Sequence, residues 1–246
     1  MPSVFLSPST QDWNPYLTTC NEEYWMNLIA DEMEPHLRAT GISYSRNQRE
    51  LPLSAAIAAS NAGNYDLHLA IHSNAGPESM AGRLRGADFY YYQPSAAGRR
   101  AAGVLAEKYR ELYPLPDKVS VVGNTTFAEL RLTNAPSVLV EVAYHDNPED
   151  EAFITGNIPA IAKNLAAGLA LHFGLLFVEA IEPRGATVTT DSSSLLIRER
   201  PTARGRVVGR MPKGAKLTVT GIADGWYAVA YHGMEGFSSA QYITLD

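Results

Sequence analysis

The apolar positions of this chain follow one pattern up to residue 173 and a different pattern after residue 186. In the first part, short apolar runs that suit buried strands alternate with segments whose apolar residues recur at helical spacing. In the second part, short alternating strands are separated by turns, with no helical segment. The pattern predicts an α/β domain with a mostly parallel sheet flanked by helices (1–178), a linker (179–186) and a small all-β barrel (187–246).

One apolar run, residues 67–71, is followed by His72 and two small polar residues. The run predicts a buried parallel strand, and ligands of such sheets bind beyond the carboxyl ends of the strands. His68 and His72 are four residues apart, so both point to the same face of this strand. Either can be a core histidine satisfied by hydrogen bonds, but His72 is also a candidate metal ligand because it lies at the strand end.

Residues 22–37 have the spacing of an amphipathic helix. Glu22 lies on the apolar stripe of this helix, whereas Glu23 is turned away from it by about 100°. A carboxylate in a first turn is also favoured simply by the helix N-terminus, and this explains Glu23 well. Glu22 points toward the sheet and is the better ligand candidate. The stripe is formed by Met26, Ile29, Met33 and Leu37.

A second apolar strand, residues 138–142, contains the carboxylate of Glu141. A buried unpaired carboxylate costs several kcal/mol, so Glu141 should face a cavity, a metal or a charged partner. A structural ion pair with an arginine is one explanation. The other is a general base or acid whose pKa is raised by burial.

Composition excludes several classes of partner and site. The formal net charge of −6 does not favour nucleic acid, and no apolar run is long enough to span a membrane. Cys20 is the only cysteine, so neither an intrachain disulfide nor a multi-cysteine zinc site can form. A metal would need His, Glu, Asp or amide ligands.

Residues 1–175 resemble the zinc-dependent N-acetylmuramoyl-L-alanine amidases of the amidase type 3 family. The resemblance is carried in order by residues 22–30, 66–75 and 136–149. It implies Zn²⁺ as the cofactor, Glu22 and His72 as ligands, and Glu141 as the catalytic carboxylate. The implied substrate is the amide bond between N-acetylmuramic acid and L-alanine in peptidoglycan.

The chain departs from this family at the first zinc ligand. The family has a histidine in a glycine-rich loop after its first strand, whereas the corresponding residues 7–11 contain none. Catalytic zinc usually has three protein ligands, which leaves Gln11 or His145 as the third. The alternative is a peptidoglycan-binding protein that has lost its metal and its activity. A metallocarboxypeptidase would instead need an arginine clamp, for which Arg131 is the obvious candidate.

Residues 187–246 resemble a bacterial SH3-like domain, most specifically around Trp226 and Tyr227. The resemblance implies cell-wall binding, although both aromatic residues can also be mainly core in a passive spacer. Action at the cell wall requires export, and the N-terminus has no secretion-signal pattern. Release by lysis, as for an endolysin or an autolysin, or prior removal of a signal would account for this. The sequence does not indicate an oligomeric state.

Overall fold

The computed structural model describes the whole chain, Met1–Asp246, which divides into two compact units, Met1–Gly174 and Leu175–Asp246. The predicted fold class is confirmed: a mixed sheet with helices forms the first unit and an antiparallel sheet the second. None of the helices combines the length and the apolar character needed to span a membrane.

The first unit alternates strands and helices along the chain. Its strands are β1 (Ser3–Pro8), β2 (Ser43–Arg46), β3 (Leu67–Asn74), β4 (Ala87–Tyr92), β5 (Val119–Asn124) and β6 (Ser137–Tyr144). Its helices are α1 (Glu22–Thr40), α2 (Leu53–Ala62), α3 (Ala96–Tyr109), α4 (Ala128–Arg131), α5 (Pro148–Gly156) and α6 (Ile158–His172). The strand order is β2-β1-β3-β6-β4-β5, and β4 runs antiparallel to β6 while the other neighbours are parallel.

Helix α1 begins and ends with conventional caps. The Asn21 side chain accepts a hydrogen bond from the Tyr24 amide, and Gly41 ends the helix in the left-handed conformation at φ 82°. The predicted apolar stripe is fully buried, and α1 packs against α6, β1 and β3. This packing fixes the first turn of α1, and with it Glu22, beside the carboxyl end of β3.

Two short elements of the first unit, β5 and α4, give no clear signal in the sequence. Strand β5 is an edge strand in which only Val119 is buried, so it lacks the apolar signal of a central strand. Helix α4 has four residues, too few to show helical periodicity. Both elements matter for the site, because α4 carries a buried glutamate.

The second unit is a sheet of seven strands with antiparallel pairing throughout. Its core is formed mainly by aliphatic residues, among them Ile197, Val219 and Val229. Residues 179–186, predicted as a linker, are part of β7, which pairs with β10 and β13. The strands are β7 (Glu179–Val188), β8 (Leu195–Arg198), β9 (Val207–Met211), β10 (Lys216–Ala223), β11 (Trp226–Tyr231), β12 (Met234–Ser239) and β13 (Ile243–Leu245).

Candidate active site

Three titratable side chains form a row across neighbouring strands of the first unit. His72 on β3 is the register partner of Glu141 on β6, and Glu141 is the register partner of Asp88 on β4. Register partners on neighbouring strands share a face of the sheet, so the three side chains lie side by side. The row lies near the carboxyl ends of β3 and β6, where open α/β sheets bind their ligands.

His72 is held between two carboxylates. Its Nδ1 lies 2.8 Å from Oε1 of Glu22, and its Nε2 lies 3.1 Å from Oε2 of Glu129. Burial alone lowers the pKa of His72, but the hydrogen bonds to Glu129 and Glu22 outweigh it and raise that pKa well above its ordinary value. The ring orientation is therefore fixed from both sides.

Glu22, and not Glu23, reaches His72. The Glu22 side chain is fully buried, and its Oε2 accepts a hydrogen bond of 2.7 Å from Nδ2 of Asn14. Burial raises the pKa of Glu22, but the hydrogen bond with His72 outweighs it, so the pKa is lowered overall. Glu23 is directed elsewhere, and its Oε1 accepts a hydrogen bond from the Glu50 amide.

Of the two candidates for a third ligand, Gln11 is the one beside His72. Its Nε2 lies 3.4 Å from Nδ1 of His72, on the same side of the ring as Glu22. The nitrogen and oxygen of a side-chain amide are assigned from the hydrogen-bond network, so a rotated amide places its oxygen at the same point. Gln11 therefore offers either a donor or a ligand oxygen to this position.

The other candidate, His145, contacts Ser73, Asn14 and Tyr16 instead of His72. Its Nδ1 donates to the Ser73 carbonyl at 3.0 Å, and its Nε2 lies 3.3 Å from Oδ1 of Asn14. The ring stacks on Tyr16 at 4.8 Å between centroids, and burial lowers the pKa of His145. This arrangement ties the loop before α1 to the end of β6.

Glu129, on α4, is the site residue that the sequence analysis missed. Its side chain is buried, and its Oε1 accepts hydrogen bonds from Ser7 Oγ and from His68 Nε2, the latter at 3.2 Å. Burial raises the pKa of Glu129, but the hydrogen bonds with His68 and His72 lower it well below its ordinary value. Two buried histidines on one face require a partner, which was the available signal, but the sequence does not say which carboxylate supplies it.

Glu141 differs from the other two glutamates because its Oε2 is buried without a hydrogen-bond partner. The arginine ion pair that the sequence left open is not formed, because the partly buried Arg46 and Arg85 pair with Asp31 and Asp150 instead. Burial raises the pKa of Glu141 to about 8, with the neighbouring carboxylates adding to the shift and His72 opposing it. The group can thus gain and lose a proton near neutral pH.

The raised pKa of Glu141 predicts a pH dependence of stability. Because folding raises this pKa from 4.5 to about 8, the folded chain binds the proton more tightly than the unfolded chain. The resulting stabilisation is complete below about pH 4.5 and is lost as pH rises through about 8. We expect the Tm of the metal-free protein to fall between about pH 5 and pH 8 more steeply than that of Glu141→Gln. Calorimetry of both proteins measures this, and parallel profiles would contradict it.

A cavity of about 540 Å³ opens beside His72 and Gln11. Trp13 lies on its wall with 73% of its surface exposed, and Leu51 and Leu53 add further exposed apolar surface. Through this cavity a substrate can reach His72, the member of the row that lines it. The remaining lining residues are Thr10, Asp12, Glu23, Glu50 and Pro52.

Comparison with protein families gives a match for each unit. A family described as N-acetylmuramoyl-L-alanine amidase matches residues 16–170, and a family described as bacterial SH3 domain matches residues 193–244. The first match spans more than half of the chain and includes Glu22, His72, Glu129 and Glu141.

Solved structures with the same fold include AmiC2, an N-acetylmuramoyl-L-alanine amidase of Nostoc punctiforme, with a TM-score of 0.63 and 19% identity over 70% of this chain and 97% of that chain. The N-acetylmuramoyl-L-alanine amidase from Clostridium difficile 630 gives a TM-score of 0.63 and 18% identity over the same shares. YrvJ of Bacillus subtilis (strain 168) is 33% identical over 58 residues, which are 24% of this chain and 11% of that protein. The chain thus matches only a small part of YrvJ.

Proposed function

We propose, from the premise that this chain belongs to the N-acetylmuramoyl-L-alanine amidase family, that it hydrolyses the amide bond between N-acetylmuramic acid and L-alanine in peptidoglycan. One observation supports this most directly. Glu141 is the register partner of His72 on the neighbouring strand, and its buried Oε2 has no hydrogen-bond partner. A proton-exchanging carboxylate next to a metal-ligand candidate is the arrangement used in metal-assisted amide hydrolysis.

The residues beside His72 fit a zinc ion if Gln11 is included among its ligands. No three His, Cys, Asp or Glu side chains form a cluster that could hold a metal, so a third ligand of these types, including His145, is not favoured. Nδ1 of His72 lies 2.8 Å from Oε1 of Glu22 and 3.4 Å from the side-chain amide of Gln11. Imidazole nitrogen and carboxylate oxygen are ordinary zinc donors.

When bound, zinc polarises the scissile carbonyl and lowers the pKa of a water molecule toward about 7. The role of Glu141 is to take the proton from the attacking water and then deliver it to the leaving amine. Burial raises the pKa of Glu141 above that of an exposed carboxyl, which favours its second role as the acid that protonates the leaving amine. The role of Glu22 and His72 is to hold the ion at the carboxyl end of β3.

The cavity beside His72 is the proposed binding site of the peptidoglycan strand. Trp13 offers an exposed aromatic face on which a sugar ring or a peptide stem can pack. We expect Trp13→Ala to raise KM about fivefold, equivalent to about 1 kcal/mol, while kcat changes little. Steady-state kinetics on soluble muropeptides measures this. An equal loss in kcat, with KM unchanged, would contradict a binding role.

The second unit is proposed to hold the enzyme on the cell wall. It matches the bacterial SH3 domain family, and Trp226, Arg198 and Tyr242 line a cavity of about 510 Å³ within it. The exposed side of Trp226 is therefore available to a ligand, whereas Tyr227 packs partly against the core. The proposed site of action is the cell wall.

A second candidate function is peptidoglycan binding without hydrolysis. It is favoured by one observation, the lack of a cluster of three His, Cys, Asp or Glu side chains able to hold a metal. The zinc content of the purified protein distinguishes the two functions. A protein that only binds peptidoglycan should purify without stoichiometric metal.

The proposed activity is tested by incubating the chain with a defined muropeptide and identifying the products by mass spectrometry. Hydrolysis should release the intact peptide stem with a free amino-terminal alanine. An unchanged muropeptide in the presence of zinc, together with binding to peptidoglycan, would favour the second function.

A further inference from the structure

Glu129 connects two histidines that lie on the same face of β3. Its Oε2 lies 3.1 Å from Nε2 of His72, and its Oε1 lies 3.2 Å from Nε2 of His68. Ala70 lies between the two histidines on this strand face and packs against Leu130 of α4. A small residue at this position leaves room for the carboxylate to span the two rings.

The far end of this connection is also fixed. Ser7 Oγ donates to Glu129, Ser60 Oγ lies 2.9 Å from Nδ1 of His68, and the His68 ring stacks on Phe5 at 5.5 Å between centroids. His68, Ser7 and Ser60 are all buried. A buried carboxylate without such partners would cost several kcal/mol, so the network accounts for the presence of Glu129 in the interior.

The backbone that carries Glu129 is held in place by side chains as well. Thr133 Oγ1 donates to the Glu129 carbonyl at 2.6 Å, and Ser137 Oγ donates to the Leu130 carbonyl at 3.0 Å. Asn61 Nδ2 donates to the Leu132 carbonyl at 2.7 Å. These contacts give a four-residue helix a defined position, which helical hydrogen bonds alone would not provide.

We infer that Glu129 is a positioning residue, whose carboxylate accepts a hydrogen bond from the Nε2–H of His72 and so directs Nδ1 toward Glu22 and Gln11. His68 and Ser7 in turn hold the Glu129 carboxylate. A ligand histidine commonly donates its other ring N–H to a carboxylate, which fixes the tautomer and the ring orientation. The inference rests on the proposed function, in which Nδ1 is the atom that faces the metal.

The first test measures zinc affinity by competition with a chelator. Loss of such an outer partner typically lowers metal affinity by about 10- to 100-fold. We expect a loss of this size in Glu129→Leu and a smaller one in Glu129→Gln, which keeps the shape and a neutral acceptor. The matched control is Glu151→Gln, since Glu151 is equally buried but its Oε1 accepts hydrogen bonds from Thr18 and contacts neither histidine. The control should bind zinc like the wild type.

The second test uses the metal-free protein, so that it does not depend on zinc binding. Nuclear magnetic resonance should show a strongly downfield Nε2 proton of His72 in the wild type and in Glu151→Gln. This signal should disappear in Glu129→Leu and move upfield in Glu129→Gln. If Glu129→Leu does not fold, Glu129→Gln alone supplies both readouts.

An unchanged Nε2 signal, or wild-type zinc affinity, in the folded Glu129 variants would overturn the positioning role. A purely structural role would lower Tm without moving either readout, and would likewise overturn it. If the wild-type chain binds no zinc, the proposed function fails, and the Nε2 signal still decides whether Glu129 orients His72.

Discussion

Replacing Glu141 with glutamine is expected to lower kcat for peptidoglycan hydrolysis by about 10²- to 10⁴-fold, the usual contribution of a general base or acid. Glutamine has the same shape but cannot take the proton of the attacking water or return it to the leaving amine. Zinc affinity should stay close to that of the wild type, because Glu141 is not among the proposed ligands. The rate of hydrolysis is measured as the appearance of new amino-terminal alanine in a digest of purified peptidoglycan.

The matched control for this substitution is Glu107→Gln. Glu107 lies on α3, and its side chain is 76% exposed in an ion pair with Arg110. An exposed ion pair contributes little, so this variant should hydrolyse peptidoglycan at the wild-type rate. Hydrolysis by Glu141→Gln at the rate of Glu107→Gln would remove Glu141 from the mechanism.

Substitutions of Gln11 are expected to change zinc affinity in both directions. A neutral amide is a weaker ligand than an imidazole, so Gln11→His should tighten zinc binding about tenfold or more, whereas Gln11→Ala should weaken it. The physical reason is the position of the side chain, 3.4 Å from Nδ1 of His72 and on the Glu22 side of the ring. Titration of zinc into the metal-free variants, in competition with a chelator, measures the Kd of each.

Asp12→His is the control for the Gln11 series. It adds an imidazole to the same loop and the same cavity wall, but one residue further along the chain. We expect it to bind zinc like the wild type. If Asp12→His gains as much affinity as Gln11→His, any added imidazole suffices and the third position is not specific to Gln11.

The sequence predicted the parts of this site that lie on long elements. The central strands have strong apolar runs, so β3 and β6 could be assigned, and with them the strand positions of His72 and Glu141. Helical spacing also distinguished Glu22 from Glu23, and the structure directs Glu22 to His72. The roles of Gln11, Glu22, His72 and Glu141 in metal binding and catalysis stay predictions.

The sequence did not predict the parts that depend on register or on very short elements. That His72, Glu141 and Asp88 would be adjacent follows from the strand order and register, which apolar runs do not encode. Glu129 lies on a four-residue helix that has no periodic signal. Its significance comes from two histidines more than fifty residues earlier in the chain, and a single sequence does not reveal such a long-range pairing.

The most direct test of the central claim is a digest of purified peptidoglycan by the metal-free chain, with zinc withheld and then restored. We expect newly exposed amino-terminal alanine to accumulate only with zinc, and a chelator to stop this accumulation. Release of alanine termini at full rate without zinc would contradict the proposed role of the metal. No release with zinc, while the chain still pellets with the walls, would contradict hydrolysis and leave peptidoglycan binding as the function.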